Sequence, residues 1–439
     1  MPNKKVLIVA YYWPPASSPG VQRWLKFTKF LENCGWKSIV ITPKSGSYPN
    51  TDPTLLNDVA KSTEVIKTST IEPFRMFNIL SGNANRGKVT SVGMGDIKGS
   101  QSLFKKASGY IRANWFIPDA RKGWVPYAVK EGQKIINSQN IDAIVTTGPP
   151  HSSHIIGLEL SKCNNIPWLA DFRDPWTNIY YNNFLPRTQR TKEKDYKLES
   201  KILSEATSVS TVSNGLVQEF EDRAKSILLL PNGYDEEDFH SVNPTNESEV
   251  FEISYIGNFK ENQNCENFWR AISELSDELE GFREKIRVSL IGNVHITIKQ
   301  TIDRFELNQV VTLESFVEHQ IAVERMANSS VLLFIIPNSE KNHQIITGKI
   351  FEYLASRTPL LSIGPIDGDA SEILNSCQRN KMIDYADSHS MKVRIQSHFE
   401  EWQLNGCTKS IKNDLHTKFS REQLTVQLSN ELERICNAN

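Results

Sequence analysis

The chain has 439 residues, with 50 Lys and Arg against 51 Asp and Glu and a formal charge of -1. That length is generous for one core and favours two domains. The balanced charge gives no support to a nucleic-acid binder or a supercharged tail.

The six cysteines (Cys34, Cys163, Cys265, Cys377, Cys407 and Cys436) form no CxxC pair and have no histidine at metal-ligand spacing. This fits free thiols in a reducing compartment. The opening apolar run at 6–10 is too short for a signal peptide, and no run approaches ~18 apolar residues. The expectation is a soluble, cytoplasmic protein that could still sit on the inner face of a membrane.

In chain order, the first half alternates apolar runs with amphipathic ones. Strands are predicted at 6–10, 38–42, 141–147, 167–172, 208–213 and 227–230, and helices at 21–33 and 188–206. Such alternation implies a parallel sheet covered by helices on both faces, with ligands at the carboxyl ends of the strands. Residues 44–118 break the rhythm, and 81–110, rich in Gly, Ser, Asn and Lys, reads as a loop excursion. Overlapping its end, Leu103-Phe-Lys-Lys-Ala-Ser-Gly-Tyr-Ile-Arg-Ala-Asn-Trp-Phe116 mixes aromatics with basic residues and no acid. It reads either as a helix packed on its own domain or as a surface touching acidic lipid headgroups.

A polar linker is expected at 241–250. Beyond it, strands are predicted at 253–256, 288–291, 310–313, 331–336, 360–363 and 382–385, with helices near 264–276, 320–328, 347–356, 370–376 and 389–403. A last helix at 420–436 carries Leu424, Leu428, Leu432 and Ile435 on one side and must pack against something. The expected class is α/β: two similar halves, 1–240 and 251–418, leaving a cleft between facing strand ends.

Residues that could carry chemistry fall just after strands. After the first comes Tyr11-Tyr-Trp-Pro-Pro-Ala-Ser-Ser-Pro-Gly-Val-Gln-Arg23, where Gly20 permits an anion to approach the helix start and Arg23 could add charge. It is not the GxGxxG of a dinucleotide site. Gly148-Pro-Pro-His-Ser-Ser-His154 sets His151 and His154 at a helix start, without a third metal ligand in sight. In Ala170-Asp-Phe-Arg-Asp-Pro-Trp-Thr177, alternation puts Asp171 and Arg173 on one side. One carboxylate can fix the arginine while the other, Asp174, stays free to accept from a hydroxyl. Asp119 and Arg121, in a rigid turn, read as structural.

In the second half, Tyr255-Ile-Gly-Asn-Phe-Lys260 closes a strand, and Lys260 could reach a diphosphate. The chain is organised around the stretch Ile346-Thr-Gly-Lys-Ile-Phe-Glu-Tyr-Leu-Ala-Ser-Arg-Thr-Pro-Leu-Leu-Ser-Ile-Gly364. Thr347 is the expected N-cap, Gly348 admits a ligand, and Lys349 and Glu352 share a helix side. Amides and a lysine suit phosphates, while a carboxylate suits vicinal hydroxyls. The loop 337–344, ending in Gln344, is long and polar enough to line a sugar pocket. Each stretch also has a purely structural reading, as a rigid turn, an ion-pair network or an ordinary amphipathic helix.

The order Leu230-Pro-Asn-Gly-Tyr-Asp235, Tyr255-Ile-Gly-Asn258, then 346–364, with a Pro-Pro loop at the start, resembles a GT-B glycosyltransferase of family 4. The pieces Ile117-Pro-Asp-Ala-Arg-Lys-Gly-Trp124, Thr146-Thr-Gly-Pro-Pro-His-Ser-Ser-His154 and Pro167-Trp-Leu-Ala-Asp-Phe-Arg-Asp-Pro-Trp-Thr177 resemble a bacterial branch tied to surface-polysaccharide assembly. The resemblance spans nearly the whole chain and is weakest over 44–110. It implies two Rossmann-like domains, with residues 419–439 crossing back to the N-terminal one. It also implies a retaining transferase without a required metal, acting on a nucleotide-diphospho-sugar, expected to be a UDP-sugar, and on a glycan or lipid-linked glycan acceptor.

The resemblance places Glu352 on the ribose and Lys349 with the Thr347 and Gly348 amides on the diphosphate. Lys260 falls beside the leaving phosphate, and the Gly20 loop borders the donor phosphates. Arg173, Asp174 and His151 are the expected catalytic residues beside Lys260, with Asp171, His154 and Arg23 toward the acceptor or behind the site. Two positions depart from the family pattern. Gln344 stands where many members have a glutamate, and Asn258 where many have an arginine, so one charge of each sign is missing around the reacting sugar. The competing readings are a sugar-nucleotide epimerase of the same shape and a non-catalytic glycan-binding scaffold.

Overall fold

A computed structural model describes residues 4–438 apart from 72–108, 112, 180–181, 183, 241, 243–247 and 409–410. The chain divides into two compact units, one of Met1–Asn232 with Arg421–Asn439 and one of Gly233–Ser420.

The first unit is built on seven parallel strands: β1 (Lys4–Val9), β2 (Trp36–Pro43), β3 (Glu64–Thr68), β4 (Ala143–Gly148), β5 (Trp168–Phe172), β6 (Ser208–Thr211) and β7 (Ile227–Leu229). Their order is β3-β2-β1-β4-β5-β6-β7, so the direction of winding reverses between β1 and β4. The central strands read as continuous apolar runs because helices cover both faces. Those helices are α1 (Pro19–Leu31), α2 (Val125–Ser138), α3 (Ser152–Asn164), α4 (Gln189–Glu205) and α5 (Asn214–Phe220).

Strand β3 lies inside the region read from sequence as an excursion. It is an edge strand whose Glu64 and Lys67 interrupt the apolar pattern. The glycine- and serine-rich part of that region, and residues 103–108 and 112 of the basic aromatic segment, lie outside the described residues.

The second unit carries β8 (Phe251–Ile256), β9 (Ile286–Ile291), β10 (Val311–Glu314), β11 (Val331–Ile335) and β12 (Leu360–Ile363), all parallel, in the order β10-β9-β8-β11-β12. Here the winding reverses between β8 and β11. Its longer helices are α6 (Glu266–Glu278), α7 (Ile296–Arg304), α8 (His319–Asn328), α9 (Lys349–Ala355), α10 (Asp369–Ser376) and α11 (Ser388–Asn405). The strand expected at 382–385 shrinks to one bridge, Ile363 to Ile383. The chain turns at once over Asp384–Asp387, where Asp387 caps α11 by accepting from the Ser390 amide at 2.9 Å.

The last helix, α12 (Arg421–Asn437), belongs to the first unit. Leu424, Leu428, Leu432 and Ile435 are buried in one cluster with Trp24, Leu25 and Phe27 of α1. The division between units falls after Asn232 rather than at 241–250, most of which lies outside the described residues. Tyr234 is buried in the second unit, edge-on to Phe239 at 6.1 Å, with its amide donating to the Phe419 carbonyl at 3.1 Å.

Candidate active site

In open α/β sheets, ligands gather at the carboxyl ends of strands where the winding reverses. Each unit has one such point, and the residues picked out from sequence collect around both.

In the first unit, alternation along β5 turns Asp171 into a fully enclosed polar cluster. Its carboxylate accepts from Arg23 Nη2 (3.0 Å), Trp24 Nε1 (2.7 Å), Thr147 Oγ1 (2.9 Å) and Ser210 Oγ (2.9 Å). Burial pushes the Asp171 carboxyl up, but the charges of Arg23 and Arg173 and the donors around it hold it below the ordinary range. Arg23 also donates through Nη1 to the Pro231 carbonyl at 2.6 Å and has no exposed surface. The charge expected at the start of α1 is therefore consumed inside the fold, tying α1 to β5.

Thr147 links this pair to Arg173. Its hydroxyl accepts from Arg173 Nε at 3.0 Å, and Arg173 Nη2 donates to the Pro149 carbonyl at 2.7 Å. So held, the guanidinium lies over Gly20, where an added Cβ would stand 1.7 Å from Arg173 Nη1. The space that Gly20 leaves is filled by this arginine. Asp174 is half-buried and has no hydrogen-bond partner among the described residues. Burial pushes its carboxyl above the ordinary range, against the pull of Arg173.

Neither histidine is exposed. His154 is fully buried, shares a 2.8 Å hydrogen bond between Nδ1 and Thr146 Oγ1, and stacks on Phe172 at 4.4 Å. Burial and the nearby Arg173 lower its pKa to about 3. His151 is almost as enclosed and stacks on Trp176 at 4.7 Å, and burial takes its pKa well below the ordinary value. Both rings are neutral near pH 7. Asp119 holds the helix that carries them, accepting from the Ser152 amide at 2.8 Å and its hydroxyl at 2.9 Å at the start of α3.

In the second unit, Lys349 leaves the first turn of α9 and reaches the end of β8. Its Nζ donates to the Tyr255 hydroxyl at 2.7 Å and lies 3.9 Å from the centre of that ring. Gly257, at φ +114°, makes the space: a Cβ there would meet Lys349 Cε at 2.7 Å. Burial lowers the Lys349 pKa to about 7, with Lys260 lowering it further and Glu352 opposing the shift. Lys349 and Glu352 are half-buried, whereas Asn258 and Lys260 are exposed.

Thr347 does not cap α9. Among the described residues its hydroxyl has no hydrogen-bond partner, and Gly348 precedes the helix without a side-chain cap. The opening turn closes through backbone bonds instead, Ile350 N to the Thr347 carbonyl and Phe351 N to that of Gly348, both 3.2 Å. Gln344 ends a short turn, Asn342–Gln344, half-buried on the way to α9.

Gln263 was not singled out from sequence. Buried, it accepts from the Tyr255 hydroxyl (3.1 Å) and the Lys260 amide (3.2 Å) and donates to the Ile335 carbonyl (2.8 Å). It thereby pins the end of β8 to the end of β11, across the reversal. Nothing in its polar surroundings, Glu261-Asn-Gln-Asn264, marks it out. Tyr255 was more legible, lying two residues before the strand-end glycine. Among the described residues no three of His, Cys, Asp and Glu group as metal ligands.

No protein-family model matches the chain, and no curated protein does. Solved structures do. A sucrose-phosphate synthase from Thermosynechococcus elongatus aligns over 100% of both chains, at 13% identity and a TM-score of 0.63. The fold is GT-B. Anabaena HepE, solved in complex with UDP and glucose, aligns over 98% of this chain and 100% of its own, at 13% identity and a TM-score of 0.60. The trehalose-6-phosphate synthase OtsA covers 98% of this GT-B chain and 99% of its own, at 10% identity and a TM-score of 0.60. At such identities what is shared is the fold.

Proposed function

We propose that the chain is a retaining, metal-independent glycosyltransferase of the family 4 kind its motifs resemble. It transfers a sugar from a UDP-sugar to a glycan or lipid-linked glycan in bacterial surface-polysaccharide synthesis. The observation that carries this reading is the group at the carboxyl end of β8: Lys349 held over Tyr255, Glu352 one turn further, and Lys260 close enough to shift Lys349. A diphosphate and a ribose need such a pair of cations beside a carboxylate. The GT-B fold, shared with a protein solved with UDP and glucose, supports the same donor.

On this reading Lys349 and the Thr347 and Gly348 amides bind the diphosphate, Glu352 accepts from ribose hydroxyls, and Lys260 meets the leaving phosphate. Asn258 and Gln344 serve the donor with neutral amides. Arg173, seated against Gly20, acts with Asp174 and His151 on the transferred sugar and acceptor. Asp171, Arg23 and His154 stand behind and hold Arg173 in place.

The bond between the anomeric carbon and the diphosphate breaks with its electrons moving to the phosphate oxygen, which the cations stabilise. The acceptor hydroxyl attacks from that same face and passes its proton to the departing oxygen. The neutral, enclosed histidines accord with a route that needs no strong protein base.

The test is turnover with UDP-sugars and a lipid-linked glycan, with and without EDTA, the product anomer read by NMR. Transfer with retention, insensitive to EDTA, is expected. Inverted product, a metal requirement, or isomerised donor without transfer contradicts the proposal.

A further inference from the structure

We infer that Tyr255 is a positioning residue for the donor: its hydroxyl presents a fixed lone pair that holds the Lys349 ammonium at the end of β8, ready for a diphosphate. This rests on the donor site proposed above and names what sets the pH range over which that site works.

The direction of the hydrogen bonds around Tyr255 follows from their ends. The Ile335 carbonyl can only accept, so Gln263 turns its Nε2 toward it at 2.8 Å. The other end of that amide, Oε1, then accepts from the Lys260 amide at 3.2 Å and from the Tyr255 hydroxyl at 3.1 Å. The same hydroxyl lies 2.9 Å from the Asn258 carbonyl, a second acceptor. Its single proton is therefore committed on this side, and only lone pairs remain for Lys349. Lys349 Nζ must donate, and it does so at 2.7 Å. Burial pushes the Tyr255 hydroxyl well above its ordinary range, so the proton stays on it.

The ring is as fixed as the hydroxyl. Tyr255 is 1% exposed and stacks on Phe259 at 4.1 Å, while Lys349 Nζ lies 3.9 Å from the ring centre. Ring face and lone pair both favour the ammonium over the neutral amine. Two charged groups act on that amine besides: Lys260, from the loop after β8, opposes its charge, and Glu352, on α9 itself, supports it. An ammonium carries three N–H groups, so with one on Tyr255 two remain for phosphate oxygens.

Isothermal titration of the full chain with UDP, at about pH 5.5 and about pH 8, tests this. Tyr255→Phe keeps the ring and its stacking but removes the lone pair, so the Lys349 midpoint falls by about one pH unit. UDP binding should then weaken roughly ten-fold near pH 8 and less than about two-fold near pH 5.5. In a Lys349→Met background, Tyr255→Phe should cost nothing further. A second measurement needs no ligand. The pH at which acetylation of Lys349 reaches half its maximal rate, read by peptide mass spectrometry, should be lower by about one unit in Tyr255→Phe.

If the wild type ignores UDP, or Lys349→Met binds it as the wild type does, the donor site itself is misplaced and the role of Tyr255 falls with it. If both hold, four results overturn the role of Tyr255 alone. These are wild-type affinity of Tyr255→Phe near pH 8, an equal loss at both pH values, an equal loss in the Lys349→Met background, and an unchanged acetylation midpoint.

Discussion

Lys349 is the residue on which the proposed donor site turns, and its environment predicts its behaviour. An unfolded lysine titrates near 10.5, whereas burial brings Lys349 to about 7 in the fold. Between those values the unfolded chain holds a proton the folded one has lost, so this residue's contribution to stability rises with pH across that window. Lys349→Met should therefore melt higher than wild type below about pH 7, the gap closing toward pH 10. Scanning calorimetry across that range checks it.

A bound diphosphate reverses the balance by favouring the charged amine. Binding then takes up protons and weakens as pH rises above about 7. Gly20 is the matching test in the first unit. Gly20→Ala drives a methyl into the Arg173 guanidinium and should cost about 1–3 kcal/mol in urea melts, with loss of transfer.

At this scale the sequence was a partial guide. Strand-end position brought out Arg173 and Asp171, and helical spacing brought out Lys349, because alternation and helix period are local. Enclosure was not legible. Arg23, His154 and Gln263 are polar residues whose partners, Asp171, Thr146 and Ile335, lie on other elements of the sheet. Only the fold brings them together.

Among the elements, α12 has the clearest sequence signature and the longest reach. Its leucines at 424, 428 and 432 repeat every four residues, and burying them against α1 joins the two ends of the chain. Leu428→Ala or Leu432→Ala should each destabilise the first unit by about 2–5 kcal/mol, measured by urea titration. Helix α3 depends instead on a carboxylate from a distant turn. Asp119→Ala leaves the Ser152 amide and hydroxyl without their partner and should cost about 1 kcal/mol, with a smaller effect from Asp119→Asn.

Helices Val125–Ser138, Asn214–Phe220 and Ile296–Arg304 were not among the predicted elements, and two misjudged strands have physical reasons. Strand β3 is a polar edge strand inside a loop-like region, and 382–385 is apolar enough for a strand but stops at an aspartate turn. Apolar periodicity reports burial, and at a sheet edge burial is incomplete.

For the molecule as a whole, alternating strands and helices made the α/β class readable from the chain itself, since a parallel sheet leaves few other solutions. The boundary between units was less readable. Polar composition pointed to 241–250, but Tyr234 already belongs to the second unit, and its burial there leaves no trace in composition.

The central claim is that the second unit holds the pyrophosphate and ribose of a UDP-sugar through Lys349 and Glu352. Isothermal titration of the full chain with UDP tests it most directly, on the wild type, Lys349→Ala and Glu352→Ala. The account predicts saturable binding by the wild type and a loss of roughly ten-fold or more in each variant. Wild-type affinity in both variants, or no binding of UDP by the wild type, would contradict it.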